Sequence, residues 1–203
     1  MKILVYDAEI VNAIPTKGQA PLPGIKFCKG WSDHEGMGVS VICAYLWDDG
    51  YRVFLEDNFG AFKALAEAPT TLCVGYNNRV FDDLLLRRAL GIHIAENRSY
   101  DLLRAVRVAR GESPGSVGGP SLHNLCQANF LPGKSGSGEF APILWQKGKI
   151  GQVIDYCLND TTQLVELVEL VIAGRLRDPD SGRILTVKPP TLIQTETPGV
   201  EVL

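Results

Sequence analysis

Residues 2–10 read KILVYDAEI, and this stretch decides the fold. Its first half is apolar on both faces of a strand, which is typical of a strand buried in the middle of a sheet. Successive side chains of a strand point to opposite faces, so Asp7 and Glu9, two residues apart, share one face. We therefore predict a buried central strand that presents two carboxylates from one face at its carboxyl end.

The stretches that follow predict further strands beside the first. Residues 40–50 (SVICAYLWDDG) and 51–56 (YRVFLE) meet at an Asp-Asp-Gly turn, which is a hairpin signal. With the first strand they form an antiparallel meander. Residues 70–76 (TTLCVGY) predict another strand, which runs straight into an amphipathic helix over 77–91. A long helix is predicted over roughly 149–173.

A meander followed by alternating strands and helices predicts an α/β domain, with a mixed sheet of antiparallel and parallel strands flanked by helices. We assign residues 1–175 to this domain. Residues 11–38, rich in Gly and Pro, are predicted to be a loop insertion, and loops of that length are usually functional or disordered. Residues 176–203 are predicted to form a C-terminal hairpin and an extended tail.

The composition is that of an ordinary globular domain, with 203 residues, 45% hydrophobic and 21% charged. No run reaches the roughly 18 apolar residues of a membrane span, and the start lacks a signal-peptide cleavage site, so we expect a cytoplasmic protein. The five cysteines form no CxxC pair and the three histidines are not spaced with them as zinc ligands, which argues against a zinc site. The net charge of −3 argues against nonspecific duplex binding through a basic surface.

Four carboxylates on three predicted elements can converge on one site. Asp7 and Glu9 lie on the first strand, Asp82 at the start of a helix and Asp160 on the long helix. Hydrolysis of a phosphodiester needs an activated water and neutralisation of the leaving oxygen, and two divalent ions about 3.5–4 Å apart supply both. Such hard cations bind carboxylate oxygens. Without metal the carboxylates repel each other, so at least one should have a raised pKa.

A phenol belongs to the same pattern. Tyr156 and Asp160 are four residues apart and share a helix face, so the Tyr156 hydroxyl can orient the attacking water or contact the scissile phosphate. Simpler interpretations stand beside this one. The acids of the first strand can be a solvated strand end, one or both of Asp82 and Asp83 can serve the helix terminus, and Tyr156 can be a core residue. The joint occurrence of all three signatures favours the site.

These signatures resemble the motifs of the DEDD superfamily of 3′–5′ exonucleases, which have the RNase H-like fold. Asp7-Ala8-Glu9 matches the first motif, DxE. Residues 75–82 (GYNNRVFD) resemble the second motif of the proofreading domain of family B DNA polymerases. Tyr156 to Asp160 matches the YxxxD motif of the tyrosine subgroup.

The resemblance implies an RNase H-like sheet and two bound ions, Mg²⁺ or Mn²⁺. It implies that the metal ligands are Asp7, Glu9, Asp82 and Asp160, and that Tyr156 orients the water. It further implies that Asn77 and Phe81 contact the terminal nucleotides. The residues that this resemblance covers run from about 2 to 173.

A single-stranded 3′ end could then enter the acidic cleft with its bases stacked on aromatic side chains. The candidates are Phe81, Trp145 and Tyr100, of which Trp145 is favoured because it lies in a polar stretch, and each can instead pack in the core. We expect a free-standing 3′–5′ exonuclease that acts on single-stranded or frayed DNA ends and releases nucleoside 5′-monophosphates, with replication proteins as possible partners. The alternatives are an exoribonuclease similar to RNase D, a non-catalytic module that binds 3′ ends, and a structure-selective endonuclease.

Overall fold

The computed structural model of the chain describes residues 2–16, 18, 20, 22–47, 49–132 and 138–191. Five strands form one sheet in the order β3-β2-β1-β4-β5. They are β1 (Lys2–Ile10), β2 (Val39–Leu46), β3 (Gly50–Phe54), β4 (Thr71–Gly75) and β5 (Ser99–Asp101). The pairs β1–β2 and β2–β3 are antiparallel, whereas β1–β4 and β4–β5 are parallel. The predicted meander with parallel strands added to it is confirmed.

Helices cover both faces of this sheet. They are α1 (His34–Met37), α2 (Phe59–Ala66), α3 (Asp82–Leu90), α4 (Leu102–Ala109), α5 (Leu122–Ala128), α6 (Ala141–Gln146) and α7 (Ile150–Ile172). The predicted helix over 77–91 begins only at Asp82, because the chain first makes a turn with Asn77 in a left-handed conformation. Among the described residues, no helix is long and apolar enough to cross a membrane.

The central strand β1 separates two hydrophobic cores. Leu4 and Tyr6 pack with α2 and α3 in one core, and Val5 packs with α4, α5 and α7 in the other. This alternation confirms that β1 is central, that it is apolar on both faces and that its odd-numbered residues share a face. Asp7 and Glu9 therefore point toward the side of the sheet that α7 covers.

The long helix α7 is fixed to the sheet at the level of these acids. Thr161 is fully buried, and its Oγ1 donates to the backbone oxygens of Cys157 and Cys43 at 2.8 and 3.3 Å. The Cys157 thiol donates to the Asp7 backbone oxygen at 3.4 Å. These contacts link α7 to β2 and β1 and set the height at which Asp160 stands over the sheet.

The described residues of 11–38 fold back on themselves after β1. Ala13 and Phe27 form an isolated parallel bridge, and α1 closes the segment. The side-chain amide of Gln146 on α6 accepts from Lys26 N at 2.7 Å and donates to the Val11 and Lys26 oxygens at 2.9 and 3.0 Å. One side chain thus joins α6 to both arms of this segment.

The chain after α7 packs against α4 and α5. Arg177 and Ile184 form an antiparallel bridge across a tight turn, and Asp178 accepts hydrogen bonds from Arg110 and Ser181. The proposed division of the chain at residue 175 stays a prediction. Residues 192–203, where the extended tail was predicted, lie outside the described residues.

Candidate active site

A cleft of about 920 Å³ opens where β1 continues beyond its parallel neighbour. The last β1–β4 pair joins Val5 to Val74, and β4 ends at Gly75. Beyond that point β1 has no parallel neighbour on this side, and Asp7 and Glu9 line the cleft. The carboxyl end of a strand beside a topological break is where open α/β sheets usually bind ligands.

Three carboxylates, two from β1 and one from α7, meet in this cleft. One carboxylate oxygen from each of Asp7, Glu9 and Asp160 lies within 4.8 Å of the other two. Glu9 is 8% exposed and Asp160 4% exposed, while Asp7 is half-buried. A cluster of three mutually repelling acids is costly by itself, and its donors are the hard oxygens that Mg²⁺ and Mn²⁺ prefer. The donor set therefore fits a divalent cation.

The fourth predicted ligand, Asp82, lines the same cleft but stands outside the cluster of three. It is the first residue of α3 and is buried. Burial raises the pKa of its carboxyl group well above the ordinary value, and the nearby charges of Asp7 and Asp83 raise it further. The direction agrees with the predicted raised pKa, but burial of Asp82 contributes more to it than the repulsion between carboxylates on which the prediction was based.

Its neighbour Asp83 has a different environment. The Asp83 carboxylate accepts hydrogen bonds from the Tyr6 hydroxyl, from Asn78 Nδ2 at 3.1 Å and from Ser99 Oγ at 2.6 Å. Asn78 is fully buried, and a Cβ atom at Gly75 would lie 2.5 Å from its side chain. Asp83 thus connects three parts of the fold, namely β1, β5 and the turn that follows β4. This is a structural role, and the sequence alone could not show which of Asp82 and Asp83 has it.

Tyr156 lines the cleft one helical turn before Asp160 and is buried. Burial raises the pKa of its hydroxyl, and the charges of Asp160 and Glu9 raise it further. With its pKa raised above the ordinary value, the phenol is protonated at neutral pH. Because it lines the cleft, the hydroxyl can contact a ligand bound there.

The turn between β4 and α3 brings Asn77 to the cleft. Asn77 has φ 60°, a left-handed conformation that Asn tolerates better than most residues. Its backbone N–H donates to Asp101 Oδ1 at 3.0 Å, and the same oxygen caps α4 by accepting from Arg104 N at 3.2 Å. Asp101 therefore fixes the turn that presents Asn77 and Asp82. Sequence analysis did not assign this role, although Asp101 stands at a helix start.

The predicted aromatic contacts divide into two groups. Phe81 lines the cleft, whereas Trp145 and Tyr100 are not among its described lining residues. Trp145 packs beside Val153 and Cys157 against the sheet. The Tyr100 hydroxyl donates to the Lys188 oxygen at 2.7 Å, on the side of the chain that follows α7. The structure thus brings neither Trp145 nor Tyr100 to the carboxylates.

Aromatic residues other than Trp145 and Tyr100 line the cleft. Trp31 and Phe27 from residues 11–38 and Phe140 before α6 line the cleft. Sequence reasoning missed them because they lie in irregular stretches without periodicity. The available signal was the presence of Trp31 in a polar, Gly-rich loop directly after the first acidic motif.

No protein-family model and no curated protein matches the chain. A family B DNA polymerase from the archaeon Pyrobaculum calidifontis is similar in structure, with a TM-score of 0.58 and 17% sequence identity, over 91% of this chain and 26% of the polymerase. Exonuclease I from E. coli in complex with a dA13 oligonucleotide has a TM-score of 0.45 and 16% identity, over 85% of this chain and 40% of that one. A nuclease in its apo form has a TM-score of 0.44 and 14% identity, over 86% and 75% of the two chains.

The likeness to the polymerase defines the class of the fold. The chain has an α/β fold with a mixed five-stranded sheet flanked by helices, as in RNase H-like exonuclease domains, and the predicted fold class is confirmed. The chain spans about a quarter of the polymerase that it resembles. At 17% identity this likeness shows the fold alone, so the activity is argued from the site.

Proposed function

We propose that the protein is a divalent-metal-dependent 3′–5′ exonuclease of the tyrosine subgroup, which hydrolyses phosphodiester bonds at single-stranded or frayed DNA 3′ ends and releases nucleoside 5′-monophosphates. One observation carries the proposal. Carboxylate oxygens of Asp7, Glu9 and Asp160, which are up to 153 residues apart in sequence (160 − 7), lie within 4.8 Å of one another in a cleft large enough for a nucleotide. The RNase H-like fold supports it.

The donor set assigns the metal ligands. Asp7, Glu9 and Asp160 would hold a cation, and Asp82 from the same cleft would complete a site for two. Bound Mg²⁺ or Mn²⁺ supplies an activated water and neutralises charge on the leaving oxygen. The carboxylates are presented from β1, α3 and α7, which are packed elements, and such rigid supports hold ligand groups in place.

The remaining residues of the cleft position the substrate. The protonated Tyr156 hydroxyl donates a hydrogen bond to the attacking water or to a phosphate oxygen, because its raised pKa keeps the proton in place. Asn77 and Phe81 contact the terminal nucleotide from the turn before α3. Described residues of 11–38 form an apolar wall of the same cleft.

A time course on 5′-labelled single-stranded DNA tests this proposal. With Mg²⁺ or Mn²⁺ we expect a descending ladder of products shortened from the 3′ end, and no products with a chelator. A matched RNA strand decides whether the enzyme is an exoribonuclease, and a circular strand detects an endonuclease. Tight binding of a 3′ end without turnover in either metal would instead identify a non-catalytic binding module.

Replacing Tyr156 with Phe is expected to lower kcat by about 10- to 100-fold, because the hydroxyl contributes one hydrogen bond to the reacting groups, of about 1.5–3 kcal/mol. The affinity for Mn²⁺ should stay within about twofold of the wild type, since the phenol is not a metal ligand. Single-turnover rates and Mn²⁺ titrations measure both. An unchanged rate would remove Tyr156 from the mechanism.

The wider setting also remains a proposal. We place the protein in the cytoplasm, where its five cysteines, all buried and free of disulfides, would stay reduced. Replication proteins are the partners that such an activity would serve.

A further inference from the structure

One wall of the cleft is built from described residues of 11–38. Apolar side chains of this segment line the cleft together with the carboxylates, among them Ile14, Leu22, Phe27 and Trp31. Residues 11–38 follow directly on the acidic end of β1, so Asp7, Glu9 and this wall belong to one continuous stretch of chain. The segment therefore has a place in the site that its irregular sequence did not reveal.

Trp31 is the most exposed aromatic residue of this wall. It is 71% exposed, and its ring meets Phe81 with centroids 6.1 Å apart and an interplanar angle of 64°. Phe81 in turn contacts the His34 ring at 5.8 Å. The edge contact holds the indole in place and leaves much of its surface open. The open surface of the indole borders the cleft, so it is accessible to a ligand that binds there.

The charges of the cleft show what kind of contact the partner makes. Its described lining contains five acidic residues and neither Lys nor Arg. The acids are Asp7, Glu9, Asp82, Glu139 and Asp160. A nucleic acid in this cleft thus gains little from cations of the described lining, which are the usual source of affinity for phosphates. Stacking of bases on aromatic side chains is the alternative source and contributes roughly 1–3 kcal/mol per base.

Hydrogen bonds support the described residues of the wall on both sides of Trp31. Gln146 bonds both arms of the segment to α6, and Asp33 accepts from Lys29 N at 2.8 Å and from Gly36 N at 3.2 Å on either side of Trp31. A stacking surface that is fixed before binding loses less conformational entropy when the ligand arrives. The indole is therefore suited to be a binding surface, because its support does not have to form around the ligand.

We propose that Trp31 is a substrate-positioning residue that stacks on an unpaired nucleobase near the 3′ end of the substrate. This inference rests on the proposed function and names its substrate class. The substrate is a single strand that carries bases. Its sequence does not matter, because every base offers a π face. Stacking on Trp31 places the terminal phosphodiester of the strand at the carboxylates. A base-paired end does not offer that face until it frays.

The test combines a protein variant with an altered strand. We expect Trp31→Ala to raise KM for single-stranded DNA by about 5- to 150-fold, which corresponds to the loss of about 1–3 kcal/mol of stacking free energy. Trp31→Phe should restore most of this affinity, because Phe also offers an aromatic face. Substrates with an abasic site at each of the last four positions locate the stacked base. At that position the abasic site should raise KM for the wild type by a similar factor and have no further effect on Trp31→Ala.

Phe130→Ala is the matched control, because Phe130 is 88% exposed and is not among the described lining residues of the cleft. Its KM should equal that of the wild type. An unchanged KM in Trp31→Ala would overturn the role of Trp31. So would an abasic site that, at every position tested, raises KM by the same factor in Trp31→Ala as in the wild type. Fluorescence anisotropy of a labelled strand in Ca²⁺ measures binding without hydrolysis. It tests the stacking even if the wild type fails to degrade DNA, which would overturn the proposed activity alone.

Discussion

Asp160→Asn and Asp7→Asn are each expected to lower the metal-dependent rate of hydrolysis by at least about 10³-fold while the protein stays folded. One carboxylate oxygen from each of these residues lies within 4.8 Å of the other and of a Glu9 oxygen. Each substitution therefore removes one ligand from the donor set. A catalytic metal contributes several kcal/mol to the transition state, and each 1.36 kcal/mol is a factor of ten in rate.

The same substitutions should not lower the free energy of unfolding of the metal-free protein. Three carboxylates held together repel one another, and replacing one with an amide relieves that repulsion. Asp155→Asn is the control, because this exposed acid lies on the same helix and its replacement changes the net charge equally. Single-turnover rates and thermal melts measure both effects. Full activity in either site variant, with the control also active, would reject the metal site.

The adjacent residues Asp82 and Asp83 are expected to respond in opposite ways to the same change. Asp82→Asn should reduce the rate by about 10²-fold or more and leave the protein at least as stable, since Asp82 is buried among like charges. Asp83→Asn should lower the free energy of unfolding by about 3 kcal/mol. Its carboxylate accepts from Tyr6, Asn78 and Ser99, and hydrogen bonds to a charged group contribute roughly 1.5–3 kcal/mol each.

The pH dependence of stability separates these effects further. The pKa of Asp82 is raised in the folded protein from an ordinary value of 3.8, so the folded state binds its proton more tightly than the unfolded state does. The metal-free wild type should therefore lose stability as the pH rises from about 4 through the raised pKa. Asp82→Asn should flatten this loss. Urea denaturation across this range measures it, and equal slopes for wild type and Asp82→Asn would contradict the role of burial at Asp82.

Much of the fold could be predicted because β1 carries a strict pattern. Alternation fixes the faces of Leu4, Val5, Asp7 and Glu9 wherever the strand lies, and apolar residues on both faces place it in the middle. Asp160 could be predicted because a mid-helix carboxylate in an apolar stretch needs a partner. Both signals can be read from residues that are neighbours in the sequence.

The rest depends on contacts between distant segments. Nothing around Asp83 distinguishes it from Asp82 until Tyr6 and Ser99 are brought beside it by the sheet. Trp145 lies in a polar stretch, but it packs against a hydrophobic cluster formed by residues of β2, α6 and α7. Trp31 reaches the cleft because the two arms of residues 11–38 pair with each other and with Gln146, and no periodicity encodes that path.

Anomalous diffraction from crystals soaked in Mn²⁺ tests the convergence of the acids most directly. We predict an anomalous peak within about 2.0–2.6 Å of carboxylate oxygens of Asp7, Glu9 and Asp160, the range for hard cations, and its loss in Asp160→Asn crystals. A crystal in which Mn²⁺ binds elsewhere, with no peak between these three residues at a concentration that supports hydrolysis, would contradict the account.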